Sequence, residues 1–280
     1  MRRILAWMQQ DFAARGIESA RLDAELLLAK ALDLPRMNLY LDLDRPLAPE
    51  ERSAARDLVQ RRRTREPVAY ILGERAFYKH TFVVSPAVLV PRPDTETLVE
   101  RALARLEEDA EGPMLDVGTG SGCIGLSLLA ERPELVADLV DLSPDALDVA
   151  RRNAERLAVA ERARFLEGDL LAPAAGPYAL ITSNPPYLRE DELGDVEADV
   201  RDHEPHLALV AGVDGLEAHR RLAAGAGAHL RPGGALLLEV GAGQAQDVKA
   251  LLASAGFRTL AVHRDLGGVE RVVEGTWPGA

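Results

Sequence analysis

The residues with the most to offer chemistry lie in one run, Ser183-Asn184-Pro185-Pro186-Tyr187. Asn184 carries a side-chain carbonyl oxygen, and the backbone carbonyl of Pro185 is a second acceptor beside it. Two converging acceptors suit a planar –NH2 group, and the Tyr187 ring can lie against its flat face. Neither proline has an N–H to extend a ladder, and each holds the residue before it in extended backbone. An isolated Asn-Pro reads as a strand-to-loop turn with a capping Asn. The whole run, following the apolar stretch Tyr178–Thr182, reads as an amino-group site. Asn184, Pro185 and Tyr187 are then its candidate catalytic residues, and Pro186 joins them in holding substrate. Which amino group it takes is not written there.

A second set of residues offers cofactor chemistry. Gly118-Thr119-Gly120-Ser121-Gly122 follows the apolar run Met114-Leu115-Asp116-Val117, and glycines at such a place let the backbone come close to a ligand. The spacing is Gly-x-Gly-x-Gly, not the Gly-x-Gly-x-x-Gly of dinucleotide sites, and a simple tight turn would also use it. Asp141 ends the next apolar run, where a carboxylate can accept from ribose hydroxyls. Asp169-Leu170 ends the one after, where an adenine amino group could be read. Either aspartate alone would be a helix cap. At successive strand ends, before the Asn184 run, they make a candidate cofactor site of Asp116, Gly118–Gly122, Asp141, Asp169, Leu170 and Asn184.

Positioning these residues takes an alternation of strands and helices. Strands are predicted at 114–117, 135–140, 163–166, 178–182 and 235–240, each a short apolar run. Helices are predicted from Pro93 to about Glu108, over 123–130, from Ser143-Pro144 onward, and over 214–230 and 244–255. Two final strands, 257–263 and 270–274, flank Gly267-Gly268. The pattern alone predicts an α/β fold with a mostly parallel sheet. Upstream, residues 3–14, 19–33 and 48–64 have helical periodicity. In the second of these Ser19 is the expected cap, with Leu22, Leu26, Ala29 and Leu32 on one face. Arg61-Arg62-Arg63 and Arg65 read as a solvated face near a helix end. Residues 76–90 read as a hairpin turning at Ser85-Pro86. Residues 188–202 read as an acidic loop able to close over the site, with His203-Glu204-Pro205-His206 in its reach, as a surface turn or a substrate wall. The expected domains are a helical bundle over 1–75, a hairpin linker over 76–90 and the α/β domain over 91–280.

Composition narrows the function classes. With 47% hydrophobic and 28% charged residues, the 280-residue chain has ample material for a core. A net charge of −12 argues against a broad nucleic-acid-binding face. The single cysteine, Cys123, allows no disulfide framework, and His203 with His206 lacks a third metal ligand, so no metal is expected. No signal peptide and no apolar run long enough to span a bilayer is read, so the expectation is a cytoplasmic protein without membrane contact.

Together these residues resemble the class I S-adenosylmethionine-dependent methyltransferases, with Asp116–Gly122 as glycine loop, Asp141 at ribose and Asp169-Leu170 at adenine. A closer resemblance is to the PrmC/HemK family, which methylates N5 of a glutamine in class I peptide chain release factors. Its further marks here are Glu66–Gly73, Val90–Glu96, Asp141–Leu147 and Glu204-Pro205 before Ala208-Leu209, so the likeness runs along the whole chain. The resemblance implies a Rossmann-like, seven-stranded sheet whose last hairpin inserts antiparallel. It also implies S-adenosyl-L-methionine as cofactor and a release factor's Gly-Gly-Gln glutamine as acceptor. A helical domain that helps dock that partner, no direct nucleic-acid binding and a monomeric state complete the expectation. Rivals left open are ribosomal-protein glutamine methylation, DNA adenine-N6 methylation, which would need base flipping and a basic recognition surface, and a non-catalytic cofactor-binding protein.

Overall fold

Alanine, leucine and arginine dominate the first seventy or so residues, and good helix formers fold as helices when an apolar stripe can be buried. In the computed structural model, which describes residues 1–108 and 112–279, these are α1 (Arg2–Ala14), α2 (Ala20–Ala31), α3 (Pro49–Arg63) and α4 (Val68–Leu72). The chain forms two units, Met1–Glu74 with Glu197–His203, and Arg75–Val196 with Glu204–Ala280.

The helical unit packs Met8, Phe12, Leu27, Leu28, Leu39, Val59 and Ile71 into one cluster. The buried face of α2 is Ala20, Ala24, Leu27, Leu28 and Ala29, with Leu32 buried after it, whereas Leu22 is 42% exposed. The predicted stripe therefore holds at Ala29 and Leu32 and is corrected at Leu22 and the half-buried Leu26. With leucines at three successive positions, 26–28, periodicity fits more than one face, and packing against α1 and α3 selects among them. Ser19 precedes α2 without a side-chain capping bond. The arginine run is also corrected. Arg62 is 3% exposed, meeting Asp23 at 2.7 Å and Asp199 at 2.6 Å, while Arg63 meets Asp11 at 2.6 Å and Arg65 meets Asp199 at 2.5 Å. A guanidinium enters a protein interior only with carboxylates around it, and these supply them.

In the second unit, β1 (Glu74–Phe77) and β2 (His80–Val83) make a hairpin that turns at Tyr78-Lys79, with Tyr78 at φ 54°. The predicted turn at Ser85-Pro86 lies beyond it, and Val88–Val90 is not strand. Phe77 and Phe82 pack edge to face inside the core, which anchors the shorter hairpin. A turn of 3-10 helix at Pro93–Thr95 then opens α5 (Glu96–Glu108).

The alternating segment follows as β3 (Met114–Val117), α6 (Cys123–Glu131), β4 (Ala137–Asp141), α7 (Pro144–Arg156), β5 (Ala163–Glu167) and β6 (Tyr178–Ser183). Helix α8 (Ala198–His203) lies in the stretch predicted as a loop and belongs to the helical unit. After it come α9 (Glu217–Ala226), β7 (Leu230–Glu239), α10 (Ala245–Ser254), β8 (Arg258–Arg264) and β9 (Glu270–Thr276). Helix α9 starts three residues after its predicted Asp214, whose Oδ1 accepts the Leu216 N–H. Strand β7 extends back through Pro232-Gly233-Gly234, where its pairing with β6 shifts register.

The sheet order is β5-β4-β3-β6-β7-β9-β8, with β9 antiparallel to both neighbours. Alternate strand residues serve opposite faces. Met114, Leu180 and Leu237 join a cluster with Leu98 and Leu128, while Leu115, Ile181 and Leu236 join one with Leu222 and Leu252. Covered on both faces, the strands read as continuous apolar runs. Among the described residues no helix is long and apolar enough to cross a membrane.

Candidate active site

Sheet order reverses between β3 and β6: β4 and β5 lie on one side of β3, β6 and β7 on the other. Ligand crevices in open α/β sheets form at the carboxyl ends of strands beside such a reversal. Register pairs Asp116 with Thr182 and Val117 with Ser183, so Gly118 and Asn184 are the next residues out on neighbouring strands. A cavity of ≈ 440 Å³ opens there, entirely within the second unit. Its walls include Val88, Leu89, Leu142, Leu170 and Leu207, with the polar groups of Thr119, Ser121, Asp141, Asp169 and Asn184 among them.

Gly118 and Gly120 both line the cavity with φ of 68° and 55°, a region where side chains are strained, and an added Cβ would meet open space. Gly122, at φ 80°, precedes α6 and does not line the cavity; a Cβ there would come within 2.5 Å of Leu126 Cδ1. Asp116 is fully buried and likewise absent from the walls. Its carboxylate accepts from Thr119 Oγ1 at 2.7 Å, Thr182 Oγ1 at 2.9 Å and the Gly125 N–H at 3.2 Å. Burial pushes its pKa up to about 6, against the pull of those donors. Asp116 therefore holds the glycine loop to β6 and α6.

Asp141 does line the cavity. It accepts the Gly120 N–H at 2.8 Å and the Ser143 N–H at 2.9 Å, and burial raises its pKa. Ser143 caps α7 through the Ala146 N–H, as its place before Pro144 implies. Asp169 meets Arg221 of α9 at 2.7 Å, each side chain about half exposed, and Leu170 turns the chain at φ 51°.

Asn184 donates from Nδ2 to Thr95 Oγ1 at 3.2 Å, leaving Oδ1 as the acceptor available to a ligand. Pro186 lines the cavity; Pro185 is buried, and neither it nor Tyr187 is a wall residue. The Tyr187 carbonyl accepts from Gln244 Nε2 at 2.9 Å, and Gln244 Oε1 accepts the Gly241 N–H at 2.9 Å. Burial raises the pKa of the Tyr187 phenol. The His203–His206 turn divides. His203 Nε2 meets the Thr64 carbonyl within the helical unit, while Glu204 takes Arg92 at 2.6 Å and the Val90 N–H at 3.1 Å beside the cavity.

Several positioning residues have no local sequence signal of their role. Asn153 of α7 is fully buried and bonds the Val83 N–H and carbonyl and the Ser121 carbonyl, tying β2 to the glycine loop. Thr95, itself on the cavity wall beside Asn184, and Thr182, Gln244 and Glu239 behind it act likewise. The available hint is a polar residue inside an apolar run, as with Thr182 and Glu239.

The chain matches known proteins over most of its length. Residues 3–73 match the family model described as PrmC N-terminal domain, and residues 94–200 match Methyltransferase small domain. The release factor glutamine methyltransferase of Geobacter sulfurreducens is 43% identical over 276 residues, 98% of this chain and 96% of that protein. That of Cereibacter sphaeroides is 46% identical over 268 residues, 96% and 95%. Among solved structures, a methyltransferase from Pyrococcus furiosus is similar with a TM-score of 0.51 at 18% identity, over 71% of this chain and 89% of that one. A Thermus thermophilus 16S rRNA N2 G1207 methyltransferase gives 0.53 at 20% identity, over 72% and 49%. At such identities the likeness shows a shared fold.

Proposed function

The chain belongs to the release factor glutamine methyltransferase family, and from that premise we infer that it transfers the methyl group of S-adenosylmethionine to the side-chain amide of a release factor glutamine. S-adenosylmethionine supplies a methyl activated by a sulfonium, whose sulfur keeps the electron pair of the breaking C–S bond as the C–N bond forms. The walls fit it: Gly118 and Gly120 offer a cradle that a Cβ would fill, Asp141 an acceptor for ribose hydroxyls, and Asp169 with Leu170 an edge for adenine.

The observation that carries the reading is the fixed Asn184 amide, its Nδ2 spent on Thr95. A glutamine amide is a poor nucleophile because its nitrogen lone pair is delocalised into the carbonyl. We assign Asn184 Oδ1, on the cavity wall, and the Pro185 carbonyl, behind it, as acceptors for its two N–H groups, bonds that strengthen as positive charge grows on nitrogen. Tyr187, also behind the wall, is assigned to hold the amide plane, and the nitrogen releases one proton to solvent after transfer. No side-chain base is required, and catalysis is chiefly positioning of an in-line displacement.

Within this reading the acceptor is the Gly-Gly-Gln glutamine, residues 1–75 help dock the folded partner, and the enzyme works as a cytoplasmic monomer. Methyl-labelled S-adenosylmethionine offered with a class I release factor and duplex DNA side by side tests it. Label on the release factor, lost when that glutamine is changed, is expected. Label on DNA would keep the amino-group chemistry and overturn the partner; label on neither, with cofactor still bound, would overturn the release factor as acceptor and favour a ribosomal-protein glutamine or a non-catalytic role.

A further inference from the structure

Glu239 closes β7 with 1% exposure, and among the described residues its Oε2 has no hydrogen-bond partner. The carboxylate takes a hydrogen bond from the Thr95 hydroxyl, and the same Thr95 oxygen accepts Asn184 Nδ2 at 3.2 Å. Three residues from separate places in the chain thus form one directed row. A carboxylate only accepts and a hydroxyl has one proton, so ionised Glu239 commits that proton to itself. Thr95 can then face Asn184 only as an acceptor, which obliges the amide to present Nδ2 inward and Oδ1 outward. Without that demand the Thr95 proton is free for Asn184 Oδ1. The reversed amide would then confront the substrate –NH2 with another –NH2.

We propose that Glu239 is a positioning residue for methyl transfer, setting through Thr95 which end of the Asn184 amide meets the acceptor nitrogen. The proposal rests on the amide-methylation reading above.

The charged surroundings of Glu239 agree with such a role. Arg271 on β9 is held by Asp94 at 2.7 Å and Asp265 at 3.2 Å, and Arg92 by Glu204 at 2.6 Å. Their charges therefore reach Glu239 already shared. Tyr187 and, at the start of α6, Cys123 face it as neutral groups, their pKa values raised chiefly by burial. His219 of α9 lies 2.9 Å from the Glu239 backbone carbonyl through Nε2 and is kept neutral by burial. Burial prevails over the two arginines and sets the Glu239 pKa at about 7. The row is then ordered above that pH and loosened below it.

The chain has three asparagines, Asn38, Asn153 and Asn184, so asparagine 15N labelling gives three side-chain amide signals in the full-length protein. The Asn184 pair is expected to shift with a midpoint near pH 7 in the unmodified protein, while Asn38 and Asn153 show no such titration. Glu239→Gln and Thr95→Val should each abolish the shift, and Thr95→Ser should retain it. In methyl transfer to the release factor, Glu239→Gln and Thr95→Val should lose at least about tenfold in kcat, with S-adenosylmethionine affinity held within about threefold. The acid limb of kcat should disappear in Glu239→Gln, and Thr95→Ser should recover most of what Thr95→Val loses. An Asn184 signal flat from about pH 6 to 8 in the unmodified protein, or titrating unchanged in Glu239→Gln, overturns the proposal. The amide signals report on the row whatever the acceptor proves to be. A failure to label the release factor therefore strikes the functional reading, and a still Asn184 strikes the row.

Discussion

Asn184 separates binding from chemistry, because its acceptor oxygen matters most when charge develops on the substrate nitrogen. Asn184→Ala is expected to lower kcat by about a hundredfold or more while S-adenosylmethionine binds within about threefold, measured by single-turnover labelling and calorimetry. Parallel loss of both would place Asn184 in cofactor binding instead. Glu239 carries a cost in stability that follows from its burial. Its folded pKa of about 7 exceeds the ordinary 4.5, so between those values the folded state holds a proton the unfolded chain releases. Stability therefore falls as pH rises through that window, by on the order of 3 kcal/mol. Glu239→Gln should melt above the unmodified protein at about pH 8, and the gap should close on acidification, read by scanning calorimetry. Asp116, raised to about 6, gives a dependence of the same sign. Asp116 also shows why site residues are only partly legible in sequence. Its carboxylate is buried outside the cavity wall, and only the partners Thr119, Thr182 and Gly125 reveal that it serves the loop.

At the scale of elements, the glycine loop divides its labour by position. Gly118 faces open cavity and Gly122 faces the Leu126 side chain, although both have positive φ. Gly118→Ala should cost about 1–2 kcal/mol in stability from backbone strain and weaken cofactor binding more than tenfold, since the new methyl occupies the cradle. Gly122→Ala should lower the melting temperature further, because the fully buried Leu126 side chain has to give way to the new methyl. Calorimetric affinity and thermal melts, taken on both variants, check the contrast; equal effects would remove the distinction. Elements were legible where a turn signal and an apolar run agreed, as at Ser143-Pro144 before α7. The β1–β2 turn was not. Tyr78-Lys79 has no glycine, asparagine or proline, and the hairpin is placed there by Phe77 and Phe82 entering the core.

At the scale of the whole molecule, distant segments are pinned by buried charge. Arg62 of α3 joins Asp23 of α2 and Asp199 of α8 inside the helical unit. Arg62→Met should destabilise that unit by about 3 kcal/mol, because Asp23 stays buried without its cation while Asp199 keeps Arg65. Urea unfolding followed by Trp7 fluorescence measures it; a change under about 1 kcal/mol would mean that the carboxylates reach water. The net charge of −12 acts at the same scale, opposing a polyanion such as DNA as a bound partner.

The sequence by itself determined the alternation of strands and helices from β3 onward apart from α8, the α/β class, the glycine loop and the Asn-Pro-Pro-Tyr turn, because each rests on local backbone rules or on short-range periodicity. The resemblance carried by its motifs supplied the antiparallel final hairpin and the family. Tertiary structure alone decided which face of α2 is buried, that the arginines of α3 are paired, that Asp116 serves the loop, and that Glu239 and Thr95 stand behind Asn184. Those outcomes depend on which residues the folded chain brings within hydrogen-bonding distance from far apart in sequence, and no local pattern encodes that distance.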